Sequence, residues 1–472
     1  MDDEDHPMTP ASARKAFVRW PDRVLGPPPG IKELNAAAWS WLAAVLILMY
    51  LVPLLTRLKS GSGLIDILPS DFVYFYGIGR IANEYPLARL YDYSLQLKIF
   101  NDIYTLPAQD GAYGPSPYPP YVGLFFSLFA RLPFLSAFFV WAGVSLSLYI
   151  AGIAAAARDL FAGERFTMPV IFALALAFCP FLHNTFANGQ IATLAVVSVG
   201  LTIWQERNAR PFSSGLALSI LAYKPTLLLL VVPMLLLTRR YRAFCGFITG
   251  SAVLALVVTA VAGIQVWTAY ARLLGLFARF AGVNGRSALS ARQYVDIRSF
   301  LQAACGGWPR TEFIILLAIT IPVAVWLFAL LWKSAGSGGP AQSLAWAATL
   351  TWTLLLNFYV PVYDSILVSL ALVLTLGALG ELGWKAATRW ITILAILIAA
   401  GSWELDAIAR AHGIQSLSLL FAILGVGQLC LLHRAIGYRS PQTTACYPGS
   451  QNRHLRRPTD AALSKSPADT LN

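Results

Sequence analysis

The chain has 472 residues, 57% of them hydrophobic and 12% charged, with a mean hydropathy of +0.61. That composition excludes a soluble globular domain and makes the chain an integral membrane protein. The net charge of +12 does not point to nucleic acid, because the basic residues sit in short clusters between apolar runs, as in positive-inside membrane proteins.

Several runs reach the roughly 17 to 25 apolar residues that a spanning helix needs, among them Trp39 to Leu55, Leu135 to Ala157, Phe244 to Ile264 and Phe313 to Trp332. None alternates with a period of two, which excludes a transmembrane β-barrel. Cys179, Cys245, Cys305, Cys430 and Cys446 are scattered, without the paired spacing of a disulfide framework or a metal site. No acid or histidine cluster has metal-ligand spacing either, so neither a metal nor another cofactor is expected.

In chain order, residues 1–36 form a polar leader with three consecutive prolines and with Arg14, Lys15, Arg19, Arg23 and Lys32 ahead of the first apolar run. It lacks a signal-peptide layout, so the first run reads as an uncleaved helix with a cytoplasmic N-terminus. Residues 58–120 then form a first extracytoplasmic loop. Within it, Phe72 to Tyr85 and Tyr91 to Tyr104 mix apolar and polar residues, as short interfacial helices over a bundle do. Tyr118-Pro119-Pro120 opens the next membrane segment, where proline is tolerated because first-turn amides lack helical partners. A polar island, His183 to Gln190, separates Met168 to Leu182 from Ile191 to Trp204. Lys224 and Pro225 cut Ser214 to Leu237 into two unequal halves, and interrupted helices of this kind mark sites in membrane proteins. Arg239, Arg240 and Arg242 close that run on the cytoplasmic side. Residues 265–310 read as a second large extracytoplasmic loop. Apolar runs near 313–332, 344–357, 362–379, 390–401 and 417–432 complete the membrane domain, 37–435. The tail 436–472 is basic and rich in Ser, Pro and Thr, the composition of a disordered cytoplasmic segment. The expected fold is all-α, a polytopic transmembrane helix bundle of about eleven to thirteen membrane segments with short interfacial helices in its first outer loop.

Five short motifs stand in order: Asp71-Phe72, Tyr118-Pro119-Pro120, Gly189-Gln190, Lys224-Pro225 and Arg239-Arg240. Together they resemble glycosyltransferase family 87 over roughly residues 37–435. The resemblance implies a GT-C fold membrane enzyme of the bacterial cytoplasmic membrane that uses a polyprenyl-phosphate sugar, typically mannose, as donor and a lipid or glycan as acceptor. Where many members carry a histidine pair at the start of a late helix, this chain has Tyr359, Tyr363 and Asp364.

Such a donor has an activated anomeric carbon and a phosphate leaving group, so the protein has to take a proton from an acceptor hydroxyl and stabilise the departing phosphate. Asp71 is the candidate general base, giving single displacement with inversion; the alternative is that it caps the helix that follows. Lys224 is the candidate phosphate ligand within the membrane domain, the alternative being a snorkelling lysine. Arg286, Arg292 and Arg298 are further phosphate candidates or solvated loop charges. Tyr74 and Tyr76 offer aromatic surface to a sugar ring, with Arg80 beyond them. Tyr118 is scaffold or reaches the site through its hydroxyl. Gln190, Tyr363 and Asp364 are candidate substrate contacts, although Asp364 equally suits pairing with Lys224 and Gln190 a bundle hydrogen bond. A secondary transporter or lipid flippase without catalysis fits the broken helices too, and so does a structural role in envelope assembly; the long first loop and the lack of an internal repeat favour the enzyme.

Overall fold

The computed structural model describes residues 31–53, 55, 71–104, 113–161, 167–283, 293–305, 309–357 and 360–437. Within them it is helical, without strands; an isolated bridge pairs Tyr294 with Pro361. The first helix, α1 (Ile31–Leu46), begins within the expected leader 1–36 and continues as a π-helical turn, Ile47–Leu51. Next come the loop helices α2 (Phe72–Glu84) and α3 (Tyr93–Ile103), then α4 (Pro120–Ser127) and α5 (Phe134–Ala157). Helix α6 (Thr167–Ala177) leads into a π-helix, Pro180–Ala187, followed by α7 (Thr193–Arg207), α8 (Pro211–Leu218) and α9 (Val231–Leu237). The remainder is α10 (Tyr241–Ala262), α11 (Gln265–Val283), α12 (Ile297–Cys305), α13 (Pro309–Lys333), α14 (Gly339–Leu355), α15 (Leu367–Leu382), α16 (Lys385–His412) and α17 (Leu417–Ile436). The described residues through Ile436 belong to one compact unit.

Seven helices among the described residues are long and apolar enough to cross a membrane, or eight if the pair Met168–Ala177 and Pro180–Ala187, bent by 60°, is one span. That is fewer than the eleven to thirteen segments expected. Helices α7 and α14 fall short of full length at 15 and 17 residues, and one more expected segment, the interrupted run Ser214 to Leu237, is a hairpin. The run around Lys224 does not continue across. It leaves from Arg210 and returns to Arg240, whose guanidinium pairs at 2.9 Å with Glu206, so both ends of the segment meet. Its legs, Pro211–Tyr223 and Pro225–Leu237, are of equal length rather than unequal, with Lys224-Pro225 at the turn. Proline removes a helical donor and disfavours helix at the residue before it, which accounts for the break.

Helices α5 and α7 run side by side in the same direction and fix the two ends of the bundle. At one end the Trp141 indole donates to the Gly189 carbonyl at 3.1 Å, and one turn on Ser145 meets Thr193 at 3.1 Å. At the other Arg207 donates to the Ala156 carbonyl at 2.6 Å. Between them the backbones touch at Gly152 and Gly200, where a Cβ on Gly200 would lie 2.1 Å from the Gly152 oxygen. Small residues of this kind let membrane helices approach closely. Lys224, the start of α15 and the loop helices belong to the first end; Arg239, Arg240, Lys333 and Lys385 belong to the second.

The first loop is welded to the bundle rather than laid over it. On α2, Phe72, Val73, Phe75, Tyr76, Ile78 and Ile81 are buried; Phe72 meets Phe134 and Phe138 with ring centres 5.7 Å apart in each case. Gly79 lets the helix rest on the Phe126 carbonyl, which a Cβ would approach to 2.4 Å. Helix α2 ends at Tyr85, held extended by Pro86. The extended stretch 113–119 is strapped down by side chains: Gln96 accepts from the Ser116 amide at 3.1 Å, Tyr91 donates to the Tyr118 carbonyl at 2.8 Å and Tyr270 to that of Pro117 at 3.1 Å.

Candidate active site

Asp71 occupies the residue before α2, where a carboxylate ordinarily accepts a bond from the first-turn amides. It makes no such cap bond. Asp92 does, accepting from the Leu95 amide at 3.2 Å, and Asp296 likewise accepts from Ser299 at 2.8 Å. The Asp71 carboxylate is hydrogen-bonded instead by the side chain of Gln190. Burial pushes its pKa up and the Gln190 bond holds it partly down. Tyr113 stands close enough for the Asp71 charge, after burial and Tyr104, to push its phenol up as well.

Two of the sequence motifs meet here. Gly189 has φ +71°, and a Cβ on it would come within 2.7 Å of the Phe72 Cβ. Only glycine gives both the left-handed conformation and the room, so Phe72 packs on Gly189 while its neighbour Asp71 meets Gln190. The π-helix carries the link onward. The Gln190 amide donates to the Thr185 carbonyl at 2.9 Å, and the Thr185 hydroxyl reaches the carbonyls of Pro180, at 2.8 Å, and Tyr363, at 3.3 Å. Irregular helical turns of this type recur at functional sites.

Beyond Tyr363 lies the second charged group. Lys224, at the hairpin turn, pairs with Asp364, with both side chains almost fully buried; its ammonium also stands 4.7 Å from the centre of the Tyr363 ring. A charge pair inside a membrane protein is stable only when both partners are satisfied, and it marks a functional site by default. Asn357 donates to the Thr226 carbonyl at 2.7 Å and fixes the hairpin turn from α14. The second loop reaches the same place, because the Val295 amide donates to the Val360 carbonyl at 3.0 Å. Asp296, fully buried, accepts a backbone bond from Val360, and its carboxyl pKa is pushed up by burial.

Several buried polar atoms at this end have no partner among the described residues: Oε1 of Gln190, Oδ1 of Asp364, Oγ1 of Thr226 and the hydroxyl of Tyr121. Such atoms are rare in folded proteins because each forfeits its hydration. At this end they stand near a carboxylate whose pKa is raised. Among the described residues no group of three His, Cys, Asp or Glu side chains is arranged to hold a metal.

The model of Glycosyltransferase family 87 matches residues 117–357, just over half of the chain. The chain belongs to that family. No curated protein and no solved structure matches it. The family 87 match takes in Tyr118, Gln190 and the Lys224 hairpin. Asp71 and the Tyr363-Asp364 pair lie outside the matched stretch, and their place at the site rests on the contacts above.

The structure brings Asp71, Gln190, Lys224, Tyr363 and Asp364 to one end of the family 87 bundle. Tyr118 stands beside them, its ring 5.0 Å from Phe75 and its phenol close enough to Tyr223 to influence it. The other candidates are engaged elsewhere. Tyr74 lies between Phe100 and Tyr113, at 5.1 and 5.4 Å, and accepts from the Gly114 amide. Tyr76 donates to the Leu132 carbonyl at 2.8 Å and packs on Phe134. Arg80 pairs with Glu84 at 2.8 Å, roughly 13 Å along α2 from Asp71 at about 1.5 Å per residue. Arg298 is exposed on α12, and Arg286, Arg292 and Tyr359 lie outside the described residues. Sequence reasoning missed Thr185, Tyr223 and Asp296. Thr185 and Tyr223 sit within or beside motifs already singled out, whereas Asp296 has no local signal.

Proposed function

We propose that this family 87 membrane glycosyltransferase transfers a hexose, mannose first among the candidates, from a polyprenyl-phosphate carrier to a lipid or glycan acceptor, with inversion and with Asp71 as general base. The observation that carries the reading is the Asp71 carboxylate: it opens a helix without capping it, and it is oriented by Gln190 instead. In the reaction the acceptor oxygen attacks the anomeric carbon and the bond from that carbon to the phosphate oxygen breaks. The hydroxyl proton passes to Asp71, and polyprenyl phosphate departs with the electron pair. Lys224 has three donors, and it serves the leaving phosphate while Asp364 keeps it charged within the bundle. The open acceptors on Gln190 and Asp364 suit the hydroxyls of the sugar. A lipid-borne leaving group also accounts for a site built among membrane helices, where a water-soluble donor would gain nothing.

The gathering of Arg207, Arg210, Arg239, Arg240, Lys333 and Lys385 at the opposite end supports a cytoplasmic location for that end by the positive-inside rule. The reaction then takes place on the extracytoplasmic side of the cytoplasmic membrane.

The test uses the purified full-length protein with polyprenyl-phosphate mannose and a panel of lipid acceptors. Asp71→Asn is expected to lower turnover by about 10²–10⁴-fold, the usual contribution of a positioned base. Turnover within a few-fold of the wild type would remove Asp71 from the mechanism. Transfer from a nucleotide sugar without a polyprenyl carrier would overturn the donor.

A further inference from the structure

At the arginine-rich end, about four helical turns and roughly 22 Å from the Trp141–Gly189 contact at about 1.5 Å per residue, a cavity of about 340 Å³ opens between α5, α7, α14 and α15. Its volume is that of a small-ligand site. Arg207 lies within it, donating to the Ala156 carbonyl at 2.6 Å and to the Ser343 hydroxyl at 3.2 Å. A guanidinium has five N–H donors, so donors remain. Asp159 and Glu381, both exposed, line the same cavity. Each lies close enough to act on the Arg207 charge, yet neither forms an ion pair with it among the described residues. The floor is fixed independently, since Glu206 accepts from Gln342 at 3.0 Å, from Trp346 at 2.8 Å and from Arg240 at 2.9 Å.

A cation held apart from two carboxylates within one small cavity suits a ligand that carries both charges. A purely anionic group would face Asp159 and Glu381, and a purely cationic one would face Arg207. A quaternary ammonium has no N–H to give the carboxylates, so the complementary group is a phosphate diester joined to a primary ammonium. The surroundings name its source. Tyr241, Trp332 and Trp390 are exposed at this end, beside its basic residues, which is the pattern of the membrane–water interface. We propose that this cavity binds the headgroup of an aminophospholipid of the ethanolamine type from the adjoining leaflet, phosphate on Arg207 and ammonium on Asp159 and Glu381. The site is separate from the glycosyl-transfer site and does not depend on that assignment.

The experiment reconstitutes the full-length protein in phosphatidylcholine nanodiscs, titrates in phosphatidylethanolamine or phosphatidylglycerol, and measures retained lipid by native mass spectrometry. The wild type is expected to retain phosphatidylethanolamine about tenfold over either competitor, a 1.4 kcal/mol preference. The double variant Asp159→Asn, Glu381→Gln, altered only at exposed positions, is expected to lose that preference while keeping its unfolding temperature. Asp71→Asn is expected to keep it, which separates this site from the catalytic reading. Equal retention of the three lipids, or a preference unchanged in the double variant, would overturn the proposal. Displacement of the lipid by equimolar soluble phosphoethanolamine would overturn the lipid as its source.

Discussion

Asp71 shows how much one side chain's neighbours decide. Had its carboxylate turned back onto the α2 amides, as Asp92 does on α3, it would be a low-pKa cap with no proton affinity to offer. Burial pushes its pKa up, and Gln190 limits the rise. A base acts only when ionised, so kcat/KM is expected to climb with pH through a value above the ordinary carboxylate range. Gln190→Leu is expected to move that limb higher still, because it removes the bond that favours the charged form. The sign for stability is opposite to that of a salt-bridged acid. The folded protein disfavours ionised Asp71, so the penalty is full above the folded pKa and vanishes below the unfolded one. Asp71→Asn is therefore expected to raise the unfolding temperature at neutral pH while lowering turnover by the same factor of about 10²–10⁴, and to leave the unfolding temperature unchanged in acid. A pH–rate profile with paired thermal scans checks both, and a limb at the ordinary carboxylate position would refute the argument. Asp71 and Gln190 were legible as motif residues. The partners of Tyr74 and Tyr76, namely Phe100, Tyr113 and the Leu132 carbonyl, lie far along the chain, beyond what a local aromatic cluster reveals.

At the scale of an element, the hairpin Pro211–Leu237 carries Lys224, the cation of the proposed site. The Lys-Pro break was visible in the sequence, because proline cannot continue a helix and a lysine there has to meet something polar. The reversal of direction was not visible, since it depends on the contact between Glu206 and Arg240 and on Asn357 holding the turn. The buried pair at its tip gives a double-mutant prediction. Lys224→Met leaves Asp364 buried and unpaired, which is expected to lower stability by about 3–5 kcal/mol. Lys224→Met combined with Asp364→Leu removes both charges and is expected to recover most of that loss without recovering turnover. Thermal unfolding in detergent and a transfer assay on the same samples separate the outcomes. Recovery of activity in the double variant would make the pair structural and leave the phosphate without this cation.

Across the whole molecule, the membrane class and helical architecture followed from hydropathy alone, while the number of full crossings did not. Apolar length does not distinguish a span from a hairpin leg. What the structure adds is polarity along the bundle axis. One end collects Asp71, Gln190 and the Lys224–Asp364 pair, and the other collects Arg207, Arg210, Arg240 and the cavity beside them. If the arginine-rich end faces the cytoplasm, the two ends must differ in access from outside the cell. With the five native cysteines replaced, Asn101→Cys on α3 is expected to react with a membrane-impermeant maleimide in intact cells. Asn208→Cys, just past α7, is expected to react only after the membrane is disrupted; both positions are exposed. A reversed pattern would put the carboxylate on the cytoplasmic side, where nucleotide sugars are at hand, and the proposal of a polyprenyl carrier would lose its physical basis.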